Sequence, residues 1–358
     1  MRLFKIEEND ANQRLDKFLK KLFPRATRSL IYKFNRKDKI KIKFDGSEGK
    51  FRKRDNEYKL QIWDEMRIFL SDSEFYELSS SVEEKTQFIK EKLDKKDIVF
   101  EDGDLFVINK NSWMNVHAWD HKTKEINVIV QVQDYLWDKL NSLTFKPSLI
   151  HRIDRDTSGI LMIGKKKDIL SKLVGDFKTS PSPSKGGGQI WGGSHWIQKT
   201  YYAIVLWKLS RKEWTITKKL LRIEWAQNEN KVQVSEKGQT AVSHYKLLGE
   251  HILKAPEWNI ILSEVEVQIE TGRMHQIRVH MASIGNPIVW DKAYGDKRMN
   301  SYLERNFWLR RQALHAWKIE FFHYGRNKKM KLEARIKKDL VDFLENVRTS
   351  PSPSKGGG

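Results

Sequence analysis

Residues 151 to 166 read HRIDRDTSGILMIGKK. One carboxylate, Asp154, stands between Arg152 and Arg155. Flanking guanidiniums favour the ionised form of a carboxylate. Thr157, Ser158 and Gly159 read as a tight turn, and Ile160 to Ile163 as a buried strand. A charged cluster on a loop braced by a strand is a common setting for a reacting group. On this local pattern alone, a salt-bridged surface loop is the better reading. His275 and His280 lack the HExxH spacing, so no metal site is expected there.

The composition narrows the partners. The chain has 358 residues, a formal net charge of +20 and no cysteine. Disulfides and thiolate zinc sites are thereby excluded. No apolar run reaches about 18 residues, so no transmembrane helix is expected. MRLFKIEEND lacks the apolar stretch of a secretory signal, which makes cytoplasm the expected location. So basic a chain points to a polyanion, nucleic acid first. No basic amphipathic anchor favours a membrane surface.

The elements that must carry these groups are legible in part. Leu15, Phe18, Leu19 and Leu22 recur at helical spacing, and Pro24 ends that helix. Thr27 reads as the cap of a second helix, with Leu30, Ile31 and Phe34 inward. The alternation KIKIKF at 39–44, followed by Asp45-Gly46, predicts a hairpin. Residues 12 to 60 hold 17 Lys and Arg against 6 Asp and Glu. That concentration makes a nucleic-acid platform, with Arg14, Arg28, Lys33, Arg36 and Lys37 as candidate phosphate contacts. The expected organisation is a small domain at 12–70, a polar linker at 71–96 and a larger domain at 97–345. DIVFEDGDLFVINK reads as two strands around Asp102-Gly103. YYAIVLW at 201–207 and SEVEVQIE at 263–270 read as further strands. Strands without βαβ alternation favour a largely antiparallel α+β domain. TSPSPSKGGG occurs at 179–188 and again at 349–358. Its composition cannot build a core, so it reads as a duplicated flexible insertion without catalytic role.

Four stretches act together: HRIDRDTSG at 151, KTYYAIV at 199, TGRMHQIRVHMASIGNPIV at 271 and RQALHA at 311. The combination closely resembles the RluA-type ribosomal large-subunit pseudouridine synthases. The N-terminal segment resembles the alpha-L RNA-binding domain that often precedes their catalytic domain. The resemblance spans roughly residues 12 to 345 and implies a mixed, mainly antiparallel sheet with a central cleft. It implies isomerisation of uridine in RNA, in which C1′ of the ribose is detached from uracil N1 and rejoined to C5. It assigns the essential aspartate to Asp154, the ring that packs on the target base to Tyr201, and the arginine pairing with the aspartate to Arg278. Tyr202, next along the strand, faces the other side. Asp156 is expected to brace the loop, and His151 to fix it by a hydrogen bond. Arg152, Thr157, Arg273, His275 and Gln276 are expected to contact the substrate or support the site. No metal or organic cofactor is implied. The expected partner is large-subunit ribosomal RNA or its precursor, bound by a monomer. Transfer RNA is the alternative substrate, and a catalytically silent RNA-binding ribosome-assembly factor the alternative class.

Five of the 13 tryptophans stand where this family's pattern has glycine: Trp63, Trp113, Trp119, Trp207 and Trp290. Glycine serves turns that need positive φ. An indole there would cost about 1 to 3 kcal/mol in strain or overpacking. The favoured reading is a gene in which UGA encodes glycine. The competing one is tryptophan recruited to stack on RNA bases. Asn111 also departs from the pattern, which usually has proline there.

Overall fold

The computed structural model describes residues 1–44, 49–79, 92–117, 127–136, 139–140, 142–178, 197–224, 230–254, 259–307 and 309–349. The chain forms two compact units. One comprises Met1–Leu93, Val130–Ser148 and Lys165–Asp168; the other Asp94–Ile129, Leu149–Gly164 and Ile169–Gly358.

The first unit opens with β1 (Arg2–Lys5), α1 (Leu15–Leu22), α2 (Arg28–Arg36), β2 (Ile40–Lys43), β3 (Glu65–Ile68) and α3 (Asp72–Ser79). Helix α1 buries Leu15, Phe18 and Leu19 as its spacing requires. The Thr27 hydroxyl accepts from Leu30 N at 3.2 Å and starts α2. The strands form an antiparallel sheet in the order β1-β3-β2. Thus β2 pairs along its length with β3, and among the described residues only an Ile42–Arg52 bridge joins it to the segment between them. The reason is apolar register: Ile40 and Ile42 lie opposite Ile68 and Met66, and all four are buried. The Asp45-Gly46 turn lies outside the described residues.

Helix α3 occupies part of the stretch expected to be a linker. Ser71 and Glu74 start it with a reciprocal capping box. Phe75 then stacks on Phe4 at 5.7 Å and joins the core of this unit.

The second unit holds β4 (Ile98–Glu101) and β5 (Leu105–Lys110) around the expected Asp102-Gly103 turn. Next in chain order come α4 (Val128–Leu136), most of which falls in the first unit, β6 (Ser148–Leu149), β7 (Ser158–Gly164), α5 (Lys167–Lys178), whose first two residues fall in the first unit, and β8 (Ile197–Leu206). There follow β9 (Glu213–Glu224), β10 (Asn230–Val234), β11 (Gln239–Lys254) and β12 (Asn259–Ile269). The chain continues through α6 (Gln276–Ser283), α7 (Lys297–Asn306), β13 (Leu314–His323), β14 (Lys328–Glu333) and α8 (Lys338–Thr349). The main sheet runs β10-β9-β11-β12-β8-β13-β7-β5-β4, with β14 on β13 and β6 on β7. Along that nine-strand order the pairs are antiparallel except β7 with β13. The fold is therefore mixed α+β, as expected. The core packs β8 and β12 against side chains of α6, α7 and α8, including Met281, Leu303 and Phe343. Among the described residues no helix is long and apolar enough to cross a membrane.

The tight turn expected at Thr157-Ser158-Gly159 lies instead at Arg155-Asp156, and Ser158 and Gly159 already belong to β7. Gly159 has φ +111°, and a Cβ there would stand 2.2 Å from the Ala316 carbonyl oxygen on β13. The glycine serves close strand approach, not a turn.

Trp63, Trp113, Trp207 and Trp290 have φ of 73°, 66°, 72° and 64°. Trp119, the 179–188 repeat and residues 350–358 of its second copy lie outside the described residues.

Candidate active site

Asp154 lies within an irregular segment between β6 and β7, and several groups hold that segment still. His151 Nε2 accepts from Met162 N at 3.2 Å, and its ring stacks on Phe177 at 4.6 Å. Burial, reinforced by the charge of Lys199, pulls its pKa down to about 3. The imidazole is thus a neutral acceptor that fixes the loop. Thr157 N donates to Asp154 O at 3.2 Å. Lys110, at the end of β5, donates to the backbone oxygens of Asn111, Met114 and Arg155 at 2.7, 3.1 and 2.8 Å. Burial draws this ammonium down to about 7, opposed by the Asp156 charge. The three carbonyls hold its protonated form. One buried lysine therefore ties the β5 turn to the loop that carries Asp154. Asn111, the departure from proline, donates its amide to Asp97 at 2.9 Å.

Arg278 comes from α6, whose preceding residue, His275, takes a left-handed conformation at φ 53°. Its Nη1 donates to Asp154 Oδ2 at 2.9 Å. Its Nε and Nη2 donate to Asp291 at 2.7 and 2.9 Å. Burial alone would lower the arginine pKa; the bonds and charge of Asp291, then of Asp154, outweigh it and raise it. The Asp291 side chain is wholly buried. Burial would raise its pKa, but Arg278 pulls it down, helped by Tyr294 N and Ala293 N. Asp154 keeps 29% of its side chain exposed, and among the described residues its Oδ1 takes no hydrogen bond. One oxygen is thus pinned and the other is open to a reacting group.

Tyr201 is partly exposed on β8. Burial, and then the charge of Asp154, raise its phenol pKa, so the ring stays neutral near the carboxylate. Tyr202 points the other way and donates to Glu264. His275 Nε2 lies 3.8 Å from Asp154 Oδ2, and its Nδ1 meets the Tyr294 hydroxyl at 2.9 Å. Burial lowers its pKa, with Asp154 opposing. Arg152 and Arg273 are exposed.

Two expected substrate contacts prove to be internal braces. Thr157 is 2% exposed, and its hydroxyl accepts from Gln312. Gln276 is 4% exposed; its amide spans Val242 O and Ser243 Oγ, while its oxygen accepts from Thr271 and Arg273 N. Both carry polar groups that burial obliges them to satisfy internally. In the first unit Arg14 is likewise committed, to Asp16 and Glu57. Arg28, Lys33, Arg36 and Lys37 are exposed.

The sequence reading missed Asp291 and Tyr294. The signal was the donor inventory of Arg278, because one aspartate cannot satisfy a buried guanidinium with five N–H groups. Asp102, Asp104 and His323 bring potential ligand atoms within 4.8 Å of one another. His323 Nδ1, however, accepts from Arg326 N. Asp102 Oδ2 is meanwhile taken by Arg326 Nε at 2.7 Å, which makes the cluster an internal brace.

The RNA pseudouridylate synthase family matches residues 104–283, half of the chain and the part that holds Asp154, Tyr201 and Arg278. The chain belongs to that family. Relatives among pseudouridylate synthases extend over nearly the whole length. The ribosomal large subunit pseudouridine synthase C of Buchnera aphidicola subsp. Baizongia pistaciae is 31% identical, over 96% of each chain. Its Vibrio vulnificus counterpart is 30% identical, again over 96% of each. The solved structure of human RNA Pseudouridylate Synthase Domain Containing 4 shares the fold. It has a TM-score of 0.51 and 20% identity, and the match covers 71% of this chain and 93% of that one.

Proposed function

We propose that this pseudouridylate synthase isomerises uridines of large-subunit ribosomal RNA, in the cytoplasm and as a monomer, with Asp154 as the reacting carboxylate. The observation that carries the reading is the 2.9 Å bond from Arg278 Nη1 to one Asp154 oxygen, with the other oxygen open. The substrate class follows the names of the relatives, whose length this chain spans. Exposed Arg28, Lys33, Arg36 and Lys37 fit phosphate contacts of an RNA-binding first unit.

The uridine must leave its stack before its glycosidic bond can react, and Tyr201 offers a neutral ring to receive it. Arg278 orients the carboxylate while Asp291 balances the remaining guanidinium charge. The anionic oxygen attacks C1′, adds to the uracil ring or takes a ribose proton as the bond to N1 breaks. In each case the departing uracil carries negative charge, which nearby donors stabilise. Exposed Arg152 and Arg273 suit the nucleic-acid backbone.

The test is to map pseudouridine in RNA from cells with and without the gene. Loss of a defined site in large-subunit ribosomal RNA is expected. Loss confined to transfer RNA would reassign the substrate, and no loss anywhere would remove the activity.

A further inference from the structure

Eight residues other than glycine have positive φ among the described residues. Four are Asn12, Asp38, His275 and Asn327. Those types tolerate the left-handed region because their short polar or planar side chains relieve it. The other four are all tryptophan, at 63, 113, 207 and 290. A bulky Cβ substituent makes that conformation an outlier. Glycine alone adopts it without strain.

We propose that the protein made in its own cell carries glycine at these four positions, from a codon that cell reads as glycine. The environments rule against a shared role for the indoles. Trp63 and Trp113 are 45% and 43% exposed, with lysines over their rings. Trp290 is 5% exposed, and its indole N–H has no partner. RNA stacking therefore cannot account for the set; the backbone angle is what its members share. At three of the four, a hydrogen bond from the backbone N–H fixes the turn. Trp63 N donates to Ile6 O at 2.8 Å, and Trp207 N to Ile261 O at 2.7 Å. Trp290 N donates to Asn300 Oδ1 at 3.0 Å. The position next to Trp290 is Asp291, the partner of Arg278, so this turn also sets the site. By contrast Trp317, outside the left-handed set, uses its indole N–H on Glu333 at 2.9 Å.

The gene and the native protein decide it. UGA codons at the four positions, and glycine in peptides sequenced by mass spectrometry from the source cells, are expected. UGG codons or tryptophan-bearing peptides would overturn the proposal. Independently, a recombinant chain with W63G, W113G, W207G and W290G should melt at a higher temperature than the chain as written. An equal or lower melting temperature would count against it.

A separate observation concerns Lys199. It is two residues before Tyr201 on β8, on the same face of the strand. The residue is 8% exposed; its backbone pairs with Ile269 and Ile319 in the sheet, and among the described residues its ammonium makes no hydrogen bond or ion pair. Its Nζ lies near the Phe177 ring at 5.6 Å and 3.5 Å from where a Cβ on Gly272 would stand. A largely covered ammonium with no counter-charge from the described residues is placed to take an anion from outside the protein. The geometry points to Lys199 as the seat of an RNA phosphate next to the nucleotide that Tyr201 receives, which rests on the pseudouridylation reading above. Burial alone pulls this ammonium down to about 8, with no carboxylate opposing it.

Lys199→Met and Lys199→Arg, assayed on a large-subunit ribosomal RNA transcript, test the assignment. The Met variant should raise KM about tenfold with kcat within about twofold, and should flatten the salt dependence of binding by roughly 0.7 in log–log slope. The Arg variant should restore both. Above pH 8, KM should rise for the wild type and stay level for the Arg variant, a readout that survives if the Met variant fails to fold. An unchanged salt slope, a loss confined to kcat, or an Arg variant that follows the wild-type pH profile would overturn it.

Discussion

Asp291 takes two nitrogens of the Arg278 guanidinium, Nε and Nη2, and leaves Nη1 to Asp154. The buried carboxylate neutralises the arginine and aims it, so Asp154 is held by a group that has itself been fixed. Removing Asp291 leaves an uncompensated buried charge. Asp291→Ala should cost about 3 to 5 kcal/mol of stability. Asp291→Asn should keep the fold and lower kcat by about 10- to 100-fold with little change in KM. Urea midpoints and steady-state kinetics read the two effects, and an unaltered kcat in the Asn variant would contradict this role.

Acid should weaken the second unit through buried histidines, with two more adding to His151. Burial, assisted by Lys218, draws His280 down to about 4. Burial likewise draws His315 down to about 4, against the Ala334 carbonyl. Between pH 6.5 and 4 the unfolded chain therefore binds protons that the folded chain refuses. Stability is full above that window and falls as pH drops through it, by up to about 1.4 kcal/mol per pH unit for each imidazole. Urea midpoints at pH 7 and pH 5 should show the drop. His315→Gln should show a smaller one, and an equal drop would exclude His315 as a source.

Gly159→Ala should destabilise by about 1 to 3 kcal/mol or more, because the new Cβ would run into the Ala316 backbone. It should also lower activity, since β7 begins four residues after Asp154. Thermal melting and turnover measured together would check this; a neutral substitution would show that β7 and β13 are not this close.

The salt dependence of RNA binding should locate the phosphate contacts. Replacing Lys33, Arg36 and Lys37 with alanine should lower the log–log salt slope by roughly 2, about 0.7 for each contact. Arg14→Ala should change it little, because Asp16 and Glu57 already occupy that guanidinium.

The parts of the fold written in local chemistry were legible from sequence. Helical spacing placed α1, the Thr27 cap placed α2, and β-rich runs placed β5, β7, β8 and β12. Asp154, Tyr201 and Arg278, from a loop, a strand and a helix far apart in sequence, were brought together only by the resemblance. What stayed hidden was long-range. The partner of β2 was decided by apolar register with β3. Gly159 resembled a turn residue until β13 was seen against it. Thr157 and Gln276 had the right types for substrate contacts, but burial turned them inward. Asp291 could be found only once Arg278 was known to be buried. The tryptophans are the converse case: a sequence anomaly became a backbone observation at four of five positions.

Release of tritium from uracil C5 of a labelled large-subunit ribosomal RNA transcript, measured in a single turnover, tests the central claim most directly. Forming the C1′–C5 bond must expel that hydrogen. Wild-type protein should release it, while Asp154→Asn should bind the RNA with unchanged affinity and release at least about a thousandfold less per unit time. Release by the Asn variant at the wild-type rate would show that the carboxylate held by Arg278 is not the group that does the chemistry.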